Sequence, residues 1–172
     1  ISHETAHQWW GNIVSWRSYR DQWLSEGFAE YSGLMYTALR DGKGSGREML
    51  DEMRDSIKMP PRTITGVGTG KLNDVGPLVL GHRVSTTKTI GAYQALIYNK
   101  GGLVLRMVHY LLSDPATGDD KVFKAMMRDF TDRYRNKSAS TDDFRRVASE
   151  HFVRSPIGQK YQMKNLDWFF RQ

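Results

Sequence analysis

Two histidines four residues apart, His3 and His7, enclose Glu4 in the segment ISHETAHQWW, and a further carboxylate, Glu26, follows in WLSEGFAEY. If this stretch is helical, both imidazoles project from one face and can take two adjacent corners of a tetrahedron. Glu4 is badly placed to bind the same ion but well placed to reach a water held by it. By itself the H-E-x-x-H pattern fixes three positions and is as compatible with a satisfied structural pair as with a metal site. Glu26 decides between them. A chain that folds back antiparallel brings its carboxylate to a third corner and leaves a fourth position for water, the open arrangement of a catalytic zinc. The other familiar third ligand, a histidine six residues beyond His7, is excluded because position 13 is Ile13. The sequence contains no cysteine, so thiolate ligands and cysteine nucleophiles are excluded as well. The expected site is one Zn2+ per chain, held by His3, His7 and Glu26.

Other residues leave two readings open. Glu30 lies four residues beyond Glu26 on the same helical face, so it either orients His3 or sits in solvent. Tyr98, before an apolar helix, is commonly a core residue with a wet hydroxyl, and Tyr93 is a second residue of that kind. Trp9, Trp10, Trp16 and Trp23 are most simply core packing. His82, His109 and His151 have no partners at ligand spacing and are expected to be structural or exposed. GVGTGKL is not a phosphate loop, because Thr65 stands where the first glycine belongs and Leu72 follows Lys71.

The elements that must position these groups are mostly helical. A first helix is expected from Ile1 to about Trp10, ended by Gly11 and Asn12, with IVSWRSYRDQW as an extended connector. Ser25 is a plausible N-cap for a second helix reaching the Gly-rich stop DGKGSG. REMLDEMRDSIKM has helical spacing and is closed by Pro60 and Pro61. Residues 60–87 read as a long Gly-rich loop. The remainder, 88–172, is helical again: TIGAYQALIYNKGGLVLRMVHYLL with a break or kink near Asn99 to Gly102, DDKVFKAMMRDFTDRYR with one apolar face, DFRRVASEHF opened by a capping box at Ser140 to Asp143, and a terminal aromatic helix NLDWFFRQ. The expected organisation is one domain over 1–172, with the zinc site in 1–31.

Composition narrows the class further. With 172 residues, 39% hydrophobic and 12% aromatic, the chain can bury a core without disulfides. The net charge of +6 comes from basic residues interleaved with Asp129, Asp132, Asp142 and Asp143, a solvated helix face rather than a nucleic-acid surface. No apolar run approaches the roughly 20 residues of a membrane span, and no signal peptide is recognisable. The motif begins at the third residue, which reads as a piece of a longer protein.

HETAHQWWGN followed by WLSEGFAEY resembles the zinc aminopeptidases typified by aminopeptidase N, the gluzincin family of membrane alanyl aminopeptidases. IYNKGGLVLRMV is similar to that family's tyrosine–x–lysine–glycine segment, and DFRRVASEHF and LDWFFRQ match it more loosely. The resemblance implies a mainly α fold, the helical C-terminal half of a thermolysin-like metallopeptidase catalytic domain. It implies His3, His7 and Glu26 as zinc ligands, Glu4 as general base and Tyr98 as the hydrogen-bond donor to the oxyanion. A peptide is the implied substrate, and the missing N-terminal part of the same catalytic domain the implied partner. The family's acidic reader of the substrate amino group lies in a Gly-x-Met-Glu-Asn segment absent here, so endopeptidase and epoxide-hydrolysing activities stay open, as does the compartment. The competing expectation is a non-catalytic helical module that keeps the metal scaffold to bind a peptide or partner. Such a module has no use for Glu4 or Tyr98.

Overall fold

The structure is a computed structural model that describes residues 1–171. In chain order its elements are α1 (Ser2–Ala6), β1 (Val14–Trp16), α2 (Trp23–Arg40), α3 (Lys43–Ser56), β2 (Arg62–Thr63), β3 (Gly66–Val67), a π-helix (Gln94–Lys100), α4 (Gly101–Leu112), α5 (Lys121–Tyr134), β4 (Lys137–Ala139), α6 (Thr141–Phe152), α7 (Pro156–Lys160) and α8 (Asp167–Phe170). The fold is mainly α, with helices packed around α2.

α1 is shorter than the spacing suggested. It stops at Ala6, because Gly11 at φ 111° lets the chain reverse and Val14 N–H donates to the Trp9 carbonyl. That turn carries Trp10 inward and Trp9 outward, so only Trp10 and Trp23 of the four tryptophans are core, while Trp9 and Trp16 are exposed. The connector is tied to the far end of the chain. β1 pairs in parallel with β4, Val14 opposite Lys137. Buried Asp21 accepts from Thr141 N–H and its hydroxyl with one carboxylate oxygen, and from Ser18 with the other. Trp23 Nε1–H also donates to Thr141 Oγ1, at 2.9 Å. The start of α2 is thereby fixed to the start of α6, whose Ser140 to Asp143 capping box forms as expected.

α2 begins at Trp23 rather than after Ser25. Ser25 is buried in the first turn and its hydroxyl donates to the Trp10 carbonyl, so it caps nothing. At the other end only Gly42, at φ 95°, breaks the helix; Gly44 and Gly46 of the expected stop lie inside α3. Residues 60–87 are not structureless: β2 and β3 form a hairpin, and 3-10 turns at Leu72–Val75 and Leu78–Val84 bury Leu72 and Val84. The C-terminal helix starts only at Asp167, whose N–H is taken by the Asn165 side chain; Gln172, its expected last residue, lies outside the described residues.

Trp23, Phe28, Phe130 and Phe144 pack edge to face or tilted at 5.0–6.1 Å and join α2, α5 and α6. On the other side of α2 the contact is between backbones. The break or kink expected near Asn99 to Gly102 is a change of helix type without interruption, from π to α at Gly101. A Cβ on Gly27 would lie 2.8 Å from the Gly101 backbone, and one on Gly101 would lie 3.0 Å from Gly27 Cα. This close crossing seats the π-helix, which carries Tyr98, directly over the segment that carries Glu26.

The outlying histidines are structural or exposed. His151 pairs with Asp129 at 2.8 Å, and His82 is exposed. His109 accepts from the Tyr31 hydroxyl at 2.6 Å, faces Asp120 at 3.4 Å and stacks on Phe123, joining α2, α4 and α5. Burial, then the nearby charge of Arg106, holds His109 below its ordinary range against the opposing pull of Asp120.

Two outcomes follow from these contacts. Gly27→Ala gains up to about 1 kcal/mol of helix propensity but overpacks a backbone contact at a cost of about 1–3 kcal/mol, so the urea midpoint falls at unchanged slope. His109 binds fewer protons folded than unfolded. Its stabilising contribution is complete above the ordinary imidazole range near 6.5 and is lost as pH falls through the lower folded value. The melting temperature therefore drops between about pH 7 and pH 5, and less so in His109→Gln.

Candidate metal centre

α1 lies against α2 where Gly33 leaves room: a Cβ there would meet Ser2 Oγ at 3.4 Å and His3 N at 3.7 Å. With Cβ absent, the histidine face of α1 sits on the face of α2 that presents Glu26 and Glu30. Three donor atoms converge. His3 Nε2 and His7 Nε2 are 3.2 Å apart, His7 Nε2 is 3.2 Å from Glu26 Oε2, and His3 Nε2 is 3.6 Å from the same oxygen. Zinc bonds of about 2.0–2.1 Å at tetrahedral angles separate ligands by about 3.3–3.4 Å. The three edges have the size of one face of that tetrahedron, and these residues are the one His/Asp/Glu group of this kind among the described residues.

The other ring nitrogens say which atoms carry hydrogen. His3 Nδ1 lies 2.8 Å from Glu30 Oε2, and His7 Nδ1 lies 2.8 Å from the Trp10 carbonyl. Both partners are acceptors, so both Nδ1 atoms donate and both Nε2 atoms present lone pairs. The Ser25 hydroxyl, 3.2 Å from His7 Nδ1, donates to the same carbonyl. Glu26 Oε2 is buried and has no hydrogen-bond partner, although it stands within ion-pair distance of both rings. With both Nδ1 atoms donating outward, the three inward atoms turn lone pairs toward one point, an arrangement relieved by a cation, either a metal ion or a proton.

The electrostatics carry the same signature. The Glu26 and Glu30 carboxylates push His3 up to about 9, so without a metal a proton serves as the cation. Burial raises Glu26, but His3, His7 and Tyr98 outweigh it and hold its carboxyl below the usual range. Tyr98 stacks parallel on His3 at 5.5 Å, and burial followed by the charge of Glu26 keeps its hydroxyl protonated far above neutrality. Glu4 is exposed beside His3 and makes no ion pair among the described residues. The structure therefore brings together His3, His7, Glu26, Glu30 and Tyr98, with Glu4 at the rim. The residues that the spacing did not reveal are Ser25 and Trp10; Trp10 acts through its carbonyl, which no side-chain pattern encodes.

The family description "Peptidase family M1 domain" matches residues 1–172. The chain belongs to peptidase family M1. Similar relatives include glutamyl aminopeptidase of Bitis rhinoceros, 30% identical over 151 residues that make up 87% of this chain and 14% of that protein. Aminopeptidase Ey of Gallus gallus is 34% identical over 132 residues, 76% of this chain and 12% of that protein. This chain therefore spans a small part of the length of the relatives it matches. An M1 zinc metallopeptidase from Deinococcus radiodurans superposes with a TM-score of 0.63 at 21% identity, over 94% of this chain and 31% of that one. That likeness supports the mainly helical fold expected from the sequence.

Glu30→Ala removes the acceptor that fixes the His3 ring. Zinc affinity, read by chelator competition, falls about 10–100-fold, while the circular dichroism of the chain is unchanged.

Proposed function

We propose that this chain forms the metal-bearing helical part of a zinc-dependent peptidase that removes amino-terminal residues from peptides. The observation that carries the reading is the triangle of His3 Nε2, His7 Nε2 and Glu26 Oε2, with both histidine tautomers set by their outer partners. These residues would hold one zinc ion. Bound there, zinc supplies a Lewis acid that polarises a carbonyl and acidifies water.

The chain's own residues do the rest. The Glu4 carboxylate, exposed and unpaired among the described residues, accepts the proton of the attacking water and passes it to the leaving amine. The Tyr98 hydroxyl, kept protonated by burial and by Glu26, donates a hydrogen bond to the oxygen on which negative charge develops. Glu30 and the Trp10 carbonyl hold the two imidazoles in register. The aminopeptidase names of the relatives favour action at a free amino terminus over internal cleavage.

The donors are partly buried. A groove of 850 Å³ beside α1 is lined by Thr5, Trp9, Tyr36 and Arg40, and one of 620 Å³ lies along the β2–β3 hairpin; neither contains His3, His7 or Glu26. The match covers only 12–14% of those relatives, so the second wall of a substrate cleft is assigned to chain outside these residues, and these 172 residues alone are expected to bind zinc and to hydrolyse alanyl-p-nitroanilide poorly.

In the full-length protein Glu4→Gln retains zinc and loses turnover by two orders of magnitude or more (roughly the general-base contribution), whereas Glu26→Ala loses the metal. Zinc content by plasma mass spectrometry together with anilide hydrolysis reads both. Turnover surviving in Glu4→Gln would reject the assigned base.

A further inference from the structure

Tyr93 is five residues before Tyr98. On an α-helix of 3.6 residues per turn, residues five apart point about 140° away from each other. The intervening segment is instead the π-helix Gln94–Lys100, entered from Tyr93 at φ −61° and ψ −51°, and its hydrogen bonds run from i to i+5. The wider turn brings Tyr93 and Tyr98 onto one face, where their rings meet edge to face at 5.6 Å and 70°. Tyr98 in turn lies parallel to His3, 5.5 Å away at 7°. Tyr93 is partly buried and stands within the field of Glu26. π-helical turns are rare and recur at functional sites.

We propose that Tyr93 is a positioning residue: its ring, brought into contact by the π-register, holds the Tyr98 ring flat against His3 so that the Tyr98 hydroxyl faces the reacting carbonyl. The inference deepens the zinc peptidase reading and rests on it. The ring is the working part, since the contact is between the two rings. The Tyr93 hydroxyl has no assigned task.

The test uses the full-length zinc-loaded protein with Tyr93→Phe, Tyr93→Leu and Tyr98→Phe, and Tyr93→Met in place of Tyr93→Leu if that variant does not fold. Two quantities are read: kcat and KM on alanyl-p-nitroanilide, and the Kd of an aminophosphinic dipeptide analogue whose tetrahedral oxygens imitate the charge that Tyr98 meets. Tyr98→Phe loses about 10²-fold in kcat. Tyr93→Leu loses about 10–100-fold in kcat at a KM within about twofold, binds the analogue correspondingly more weakly and keeps its zinc, while Tyr93→Phe restores both quantities. Wild-type behaviour of Tyr93→Leu, beside a damaged Tyr98→Phe, overturns the positioning role and leaves the zinc peptidase reading standing. A Tyr93→Phe variant as impaired as Tyr93→Leu also overturns it, because the hydroxyl would then be the working group. An undamaged Tyr98→Phe removes the oxyanion role on which the inference rests.

Discussion

Three lone pairs aimed at one point, two from imidazole and one from carboxylate, repel one another unless a cation stands among them. His3, His7 and Glu26 are held in that arrangement by their neighbours. Glu30 and the Trp10 carbonyl each accept a hydrogen bond from the Nδ1–H of one ring, which turns both Nε2 atoms inward. Glu26 Oε2 is buried with no proton donor of its own. The local free-energy cost of such a cluster must be met by the rest of the fold or by a bound ion.

The surrounding structure is arranged so that the cluster cannot relax by moving apart. α1 has a single turn and little stability of its own. It is fixed by its packing on α2 at Gly33 and by the turn that delivers the Trp10 carbonyl beneath His7. α2 is anchored at its start through Asp21 and Trp23 to Thr141 of α6, and along its length through the aromatic cluster of Phe28, Phe130 and Phe144. The Gly27–Gly101 crossing then sets how closely the tyrosine-bearing π-helix approaches. Each constraint acts on a different side of the site.

Much of this was legible in the residues, and the limits have physical causes. The His3/His7 pair follows from local helical spacing, and it survives although α1 ends at Ala6, because His7 keeps helical angles as the C-cap. The approach of Glu26 follows from one reversal of the chain. The place of Tyr98 came from family resemblance and not from spacing, since the π-register that turns it toward His3 has no side-chain signature. GlyGly at 101–102 reads as a break or kink and is the point where the helix changes type and packs on Gly27, and the glycines of DGKGSG read as a stop when only one of them reverses the chain. Trp9 and Trp16 look like core by type, yet a turn and a short edge strand leave them exposed. Some of the deciding features are contacts between residues far apart in sequence, such as Gly27 on Gly101, and others are local backbone turns at Gly11 and Gly42.

The most direct measurement is zinc K-edge X-ray absorption on the zinc-loaded chain. The account predicts a four-coordinate shell at about 2.0–2.1 Å, with the multiple-scattering signature of two imidazoles and the balance made up by oxygen. Failure to retain zinc, or a six-coordinate all-oxygen shell without imidazole scattering, would contradict it.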